Sequence, residues 1–179
     1  IDSRVCPKNS IFFALKGENF NGNKYALSAI EKGCAYAVVD EKEFAVNENI
    51  IFVDDCLFAL QDLAQHHRIA LGIPVIGITG TNGKTTTKEL ITAVLSQKYK
   101  VTATVGNLNN HIGVPLSLLS INEDTQIAVI EMGANHPYEI AELCKIAYPT
   151  YGVVTNIGAA HLEGFKTLEN IIETKMGLY

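Results

Sequence analysis

The sequence predicts an α/β protein: a small N-terminal α/β unit followed by a parallel-sheet domain of the P-loop type. Three observations predict it. Short apolar runs of strand length alternate with longer stretches of helical periodicity along the chain. The punctuation "LGIP" (71–74) ends one helical stretch and starts a new strand, so it marks a domain break: residues 1–72 on one side, 73–179 on the other. Just past it, "PVIGITGTNGKTTTKEL" (74–90) reads as a buried strand, a glycine-turned loop, and a Lys-Thr pair opening a helix.

In order, "SIFFALKG" (10–17) predicts a strand ending at Gly17, and "NKYALSAIEKG" (23–33) a helix stopped by Gly33. "AYAVVD" (35–40) and "NIIFVDD" (49–55) predict short buried strands. The stretch 56–72 carries apolar residues at 57, 60, 63, 64 and 71, a helical stripe ending at Gly72. Beyond the break, strands are expected over 75–79, 100–104, 126–132 and 151–157, with helices over 84–97 and 137–147. Strands alternating with helices imply a parallel sheet, and such sheets bind ligands at the carboxyl ends of their strands. Lys84, Thr85, Glu131, Asn156 and His161 all fall there.

Bulk properties narrow the function. Hydrophobic content is 47% and charged content 18% over 179 residues, ordinary for a soluble globular protein. The net charge of −5, without a block of like charges, argues against nucleic acid as a partner. The longest apolar runs are too short to cross a bilayer. Cys6, Cys34, Cys56 and Cys144 show neither paired nor metal-ligand spacing, which suits reduced thiols in the cytoplasm. The chain opens without Met and stops inside a helical pattern, "IIETKMGLY", so a piece of a longer polypeptide is expected.

Gly80 and Gly83 permit backbone turns closed to other residues, so the loop over Gly80, Thr81, Asn82 and Gly83 can aim N–H groups at phosphate. The helix N-terminus that follows adds positive potential around Thr85 and Thr86. Lys84 is placed to neutralise β- and γ-phosphates, and Thr85 to offer its hydroxyl to Mg²⁺. The spacing is the shorter G-x-x-G-K-T, with Ile78 where a longer loop would have glycine. Glu131 ends the apolar run "IAVIE"; beside such a loop, a carboxylate there reads as a metal ligand. On residue chemistry alone, His161 reads as a hydrogen-bonded bystander and Lys175 as a solvated helix-face charge.

The segments "GITGTNGKTTTKEL", "GNLNNHIGVPLSLL", "EMGANHPYEIAELC", "TNIGAAHLEGF" and "ENIIETKMGLY" together resemble the Mur ligases, as does "DSR" followed by "SIFFALKGENFNGNKYA". The resemblance runs from Asp2 to Tyr179, and several of these motifs look like those of the family member that adds D-Ala-D-Ala. It implies three domains. The first grips a uridine diphosphate substrate, the central one binds ATP, and a C-terminal one completes the site. This chain would hold most of the first, part of the second and none of the third, and by itself would not complete ligation.

The implied activity is that of an ATP-dependent acid–D-amino-acid ligase of peptidoglycan precursor synthesis, joining D-Ala-D-Ala to UDP-N-acetylmuramoyl-tripeptide through an acyl phosphate. The resemblance puts Lys84 on the ATP phosphates, Thr85 on one Mg²⁺, and Glu131 with His161 on a second. Lys175 matches a position carbamylated in several members. Asn107, Asn109 and Asn110 match a segment facing the sugar-peptide, with turn chemistry as the rival reading. Ser3, Arg4, Lys16 and Asn21 are the uridine diphosphate candidates, with surface solvation as the rival for the two cations. Tyr138 and Gly177 depart from the pattern, where relatives carry Gly and Glu. Tyr138 at a helix start is expected to cost little; Gly177 in a helix is expected to cost about 1 kcal/mol. A sister enzyme adding the third residue, a folylpolyglutamate synthase, and a non-catalytic nucleotide-binding module stay open as alternatives.

Overall fold

The structure, a computed structural model, describes residues 1–158 and 162–179. The chain divides into two compact units, Ile1–Leu60 and Gln61–Tyr179.

The first unit is built on a three-stranded parallel sheet of order β1-β4-β5: β1 (Ile11–Phe13), β4 (Tyr36–Val39) and β5 (Ile50–Phe52). Parallel pairing of β1 with β4 needs a crossover. A 3₁₀ turn (Gly22–Tyr25) and helix α1 (Ala26–Glu31) supply it, burying Ala26 and Ala29. Phe12, Phe13, Ala14, Val38, Val39 and Ile50 complete the core. The expected strand 10–17 is broken. At Ala14–Leu15 the chain turns, with Leu15 N–H on the Phe13 carbonyl (2.9 Å) and Gly22 N–H on the Leu15 carbonyl (3.0 Å). Lys16 and Gly17 then form β2, paired antiparallel with β3 (Phe20–Asn21).

Helix α2 (Cys56–Leu71) carries the division between units inside it, rather than at the Gly72–Pro74 punctuation. The reason lies in its later turns. Ala64 belongs to the core of the second unit, and the Arg68 guanidinium caps the end of a helix there, donating to the carbonyls of Ala147 (3.1 Å) and Tyr148 (3.0 Å).

The second unit holds a four-stranded, all-parallel sheet of order β7-β8-β6-β9: β6 (Val75–Thr79), β7 (Val101–Ala103), β8 (Ile127–Glu131) and β9 (Tyr151–Val154). Helices α3 (Lys84–Leu95), α4 (Gly113–Leu119), α5 (Glu139–Ala147), α6 (Leu162–Phe165) and α7 (Leu168–Met176) accompany it. The core gathers Val75, Ile130 and Met132 from the sheet side with Val114, Leu118, Ile140, Leu143, Phe165 and Ile171 from the helices. Strand β6 lies between β8 and β9, which arrive from opposite sides of it. Its carboxyl end is the topological switch point, where an open α/β sheet forms its crevice. No helix among the described residues is long and apolar enough to cross a membrane.

Two expectations about α5 and α7 need correction. Tyr138, before α5, adopts a left-handed conformation (φ 67°) that costs a non-glycine residue about 1–2 kcal/mol, so its cost is not small. Gly177 is not in a helix interior: it is the C-cap of α7, where the interior glycine penalty does not apply.

Candidate functional site

The phosphate loop leaves β6 at Gly80, whose φ of +147° admits glycine and little else. A Cβ there would overlap the Thr155 hydroxyl beyond β9. The loop is stitched to the segment after β9. Thr81 N–H donates to the Asn156 carbonyl (3.0 Å), and the Thr81 hydroxyl and Gly158 backbone bond one another. Asn82 exchanges bonds with the Asn156 side chain (3.0 and 3.2 Å) and its carbonyl accepts from the Thr155 hydroxyl (2.6 Å). Gly83, again at positive φ (76°), is the N-cap of α3 and brings no side chain to it. The first-turn N–H groups over Lys84, Thr85 and Thr86 therefore face outward with the helix's positive end. Lys84 Nζ folds back onto the carbonyls of Gly80 (2.8 Å) and Thr81 (3.1 Å), its own loop.

Glu131 ends β8 and is 1% exposed. A buried carboxylate needs partners, and among the described residues it has two: the Thr85 hydroxyl donates to Oε2 (2.9 Å) and Asn109 Nδ2 to Oε1 (2.8 Å). Two oxygens held by one octahedral Mg²⁺ at about 2.1 Å sit roughly 3 Å apart, so the Thr85–Glu131 pair fits such an ion. His161 lies outside the described residues.

Lys175, on α7, is 3% exposed and lines a small pocket with Gly80, Thr81, Lys84, Ala134, Phe165 and Ile171. It is a buried amine rather than a solvated helix-face charge. Burial, reinforced by the positive Lys84 nearby, lowers its pKa to about 8. The pocket thus brings together Lys84 and Lys175, two cations, at the mouth of the phosphate loop.

The three asparagines separate. Asn109 reaches Glu131. The Asn110 side chain accepts the N–H groups of Ile112 (3.1 Å) and Gly113 (2.8 Å), which is turn chemistry at the start of α4. Asn107 is exposed in the loop, its carbonyl taking the Asn109 N–H (2.7 Å).

In the first unit, Lys16 and Asn21 meet at the carboxyl end of its sheet. Lys16 pairs with Asp40 (3.0 Å), and Asn21 Nδ2 donates to both oxygens of Glu41 (3.1 Å each). Asn23, 1% exposed, exchanges two bonds with Asp40. Burial pushes the Asp40 carboxyl up, but the bonds from Asn23, Lys16 and the Cys56 N–H outweigh it and hold it below its ordinary value. Ser3 and Arg4 are not part of this cluster. The Ser3 carbonyl takes Lys32 Nζ (2.9 Å) just ahead of β4, and Arg4 forks onto Asp2 (2.8 and 2.9 Å). The four residues of β4, at about 3.3 Å each, lie between the two groups.

Sequence reasoning passed over Asn23, Asp40, Lys88, Thr104 and Thr155. Asp40 carried a usable signal: it ends the apolar run "AYAVVD" as Glu131 ends "IAVIE".

Comparison with known proteins shows the family and the fold. The family model described as "Mur ligase middle domain" matches residues 78–179, and "Mur ligase family, catalytic domain" matches residues 1–68. The UDP-N-acetylmuramoyl-tripeptide–D-alanyl-D-alanine ligase of Bacillus subtilis is 45% identical over 98% of this chain and 39% of its own length. The Haemophilus influenzae protein of the same name is 38% identical over 99% of this chain and 40% of its own. Among solved structures, MurF from Acinetobacter baumannii superposes with a TM-score of 0.91 at 37% identity, covering 99% of this chain and 39% of that one. MurF ligase from Thermotoga maritima, solved in complex with ADP, gives 0.90 at 38% identity, covering 99% and 41%. The chain thus spans about two fifths of the length of these relatives. With one family model over its first unit and another over the phosphate loop, Glu131 and Lys175, the chain belongs to the Mur ligase family.

Proposed function

We propose that this chain carries the uridine-nucleotide-binding and ATP-binding parts of a cytoplasmic ligase that joins D-Ala-D-Ala to UDP-N-acetylmuramoyl-tripeptide at the expense of ATP. The observation that carries the reading is the junction of Thr85 with Glu131 at the switch point of the parallel sheet, beside Lys84 and Lys175. A phosphate loop joined to a buried metal-ligating acid suits phosphoryl transfer.

In this reading, the N–H groups of Gly80 to Thr86 receive the ATP phosphates, and Lys84 exchanges its loop carbonyls for the β- and γ-phosphates. Thr85 and Glu131 would hold Mg²⁺, and His161, with Glu131, would hold a second ion. Bound there, Mg²⁺ offsets the repulsion between two anions that must meet. The tripeptide carboxylate attacks the γ-phosphate, giving an acyl phosphate and ADP. The D-Ala-D-Ala amine then attacks the acyl carbon, and phosphate leaves. Lys175 suits carbamylation: a buried amine with a lowered pKa is in part neutral near pH 8, the form that adds to CO₂. Asn109, with Asn107 and Asn110 in the same loop, lies on the sugar-peptide side.

Residues 1 to about 72 are assigned to the uridine diphosphate end. Lys16 and Asn21, with Asp40 and Asn23, offer a polar site there; Ser3 and Arg4 would act from the other end of the sheet. Acyl-phosphate chemistry requires water to be excluded, and closure by further chain commonly does this. The 179 residues alone are therefore expected to bind nucleotide without completing the amide. The test is incubation of the full-length protein with ATP, Mg²⁺, the muramoyl tripeptide and D-Ala-D-Ala, with the pentapeptide sought by mass. ADP release without that product would sink the ligase reading.

A further inference from the structure

Lys88 is among the largest fully buried side chains of the described residues, 1% exposed, and none of the roles above uses it. It sits on α3, one turn past Lys84 and Thr85. Its Nζ donates to the Thr104 carbonyl (2.7 Å) and pairs with Glu89 Oε1 (2.9 Å), whose side chain is 66% exposed. Thr104 follows the last residue of β7 and keeps one rung of the ladder, its N–H on the Val129 carbonyl (3.0 Å). Its hydroxyl then accepts the N–H of Glu131 itself (3.0 Å). Past the final β7–β8 register pair, Ala103 with Val129, that hydroxyl replaces the acceptor the strand no longer offers. The same residue opens the loop that carries Asn109 onto Glu131.

An ion buried this deeply is not explained by stability alone. Removing an ammonium from water costs several kcal/mol, and a buried ion pair is on average no better than an apolar side chain of similar size. A lysine here does have a geometric consequence. Helix α3 presents Thr85 from its first turn and grips the end of β7 from its second. The spacing between the Thr85 hydroxyl and the Glu131 carboxylate is then set by one rigid path: α3, Lys88, Thr104, Glu131.

We propose that Lys88 is a positioning residue: acting through Thr104, it holds Glu131 at the distance from Thr85 that a divalent cation requires. The proposal rests on the reading of Thr85 and Glu131 as Mg²⁺ ligands. Its consequence is specific. Loss of Lys88 weakens the contribution of Mg²⁺ to nucleotide binding, while the phosphate loop itself is left intact.

The experiment is calorimetric titration of the protein with ATP, once in saturating Mg²⁺ and once in EDTA. The ratio of the two affinities is the metal gain. In Lys88→Met the gain falls about tenfold relative to wild type, while the metal-free affinity stays within about twofold. Thr104→Val, which deletes the acceptor for the Glu131 N–H, gives the same loss, and Thr104→Ser restores the gain. The Lys88→Met/Thr104→Val double variant is no worse than the more affected single one, because both break one path. A Lys88→Met protein that melts earlier but keeps the wild-type gain overturns the proposal and leaves Lys88 purely structural. Should Lys88→Met fail to fold, Thr104→Val decides, and an undiminished gain there overturns it equally. A wild-type protein with no metal gain refutes the Thr85–Glu131 site itself, and the proposal falls with it.

Discussion

Two glycines three residues apart in the phosphate loop should respond very differently to the same substitution. At Gly83 a Cβ would meet nothing within 4 Å, so Gly83→Ala bears only the strain of a positive φ, about 1–2 kcal/mol. The reduced freedom of the unfolded chain returns about 0.4–1 kcal/mol of that. At Gly80 the strain is again about 1–3 kcal/mol, and the new methyl overlaps the Thr155 hydroxyl. Thr155 must swing away and lose its bond to the Asn82 carbonyl (2.6 Å), about 1 kcal/mol net, with overpacking adding about 1–3 kcal/mol. With the same unfolded-state return, Gly80→Ala should therefore cost about 2–6.6 kcal/mol and Gly83→Ala under about 1.6. Urea denaturation followed by circular dichroism measures both, and Thr155→Ala in the Gly80→Ala background should recover part of the loss. Two variants of equal stability would refute the account of a loop fitted against the β9 segment.

Tyr138→Gly should stabilise the protein by about 0.5–1 kcal/mol, because it relieves a left-handed residue at the N-cap of α5 whose side chain is 63% exposed; a lower melting temperature counts against this. Lys84→Ala should abolish ATP binding with little change in stability, since it sits at a loop-to-helix junction outside the core; wild-type affinity in titration would exclude Lys84 from the phosphate site. Lys175 has a folded pKa of about 8, below its unfolded value, so the unfolded state binds more protons between pH 8 and 10.5. Its burial is fully destabilising below pH 8 and is relieved as pH rises through that window. Lys175→Met should therefore raise the melting temperature at pH 7 and gain less at pH 10; a gain independent of pH would rule out the titration.

Much of this was legible because period and punctuation agree. Strand β6 matches its expected limits, since Val-Ile-Gly-Ile-Thr is bounded by Pro74 and a glycine loop. Glu131 could be picked out because a carboxylate at the end of an apolar run is conspicuous. The hairpin of β2 and β3 was hidden, because it depends on a turn at Ala14–Leu15 that no glycine or proline announces. Helix α4 was hidden by its length and by Pro115 inside it, tolerated in the first turn where its N–H is not needed. Lys88 reads as an ordinary charged helix residue, since only the packing of α3 over β7 and β8 buries it. The division inside α2 was invisible for the same reason: Ala64 and Arg68 choose their unit by tertiary contacts, not by local sequence.

The bonds that Lys84 makes with its own loop bear on how a ligand would arrive. The ammonium is already held along the loop by the carbonyl oxygens of Gly80 and Thr81, which in the proposed reading would be placeholders for phosphate oxygens. The loop backbone is meanwhile clamped from outside by Thr155 and Asn156. Capture of an anion is then a change of partner for one side chain rather than a folding of the loop. Most of the ordering entropy has already been spent when the protein folds, so it need not be drawn from the binding energy of the nucleotide. Arrival should be limited by diffusion and by the opening of two hydrogen bonds, with the backbone of residues 80–83 nearly unmoved.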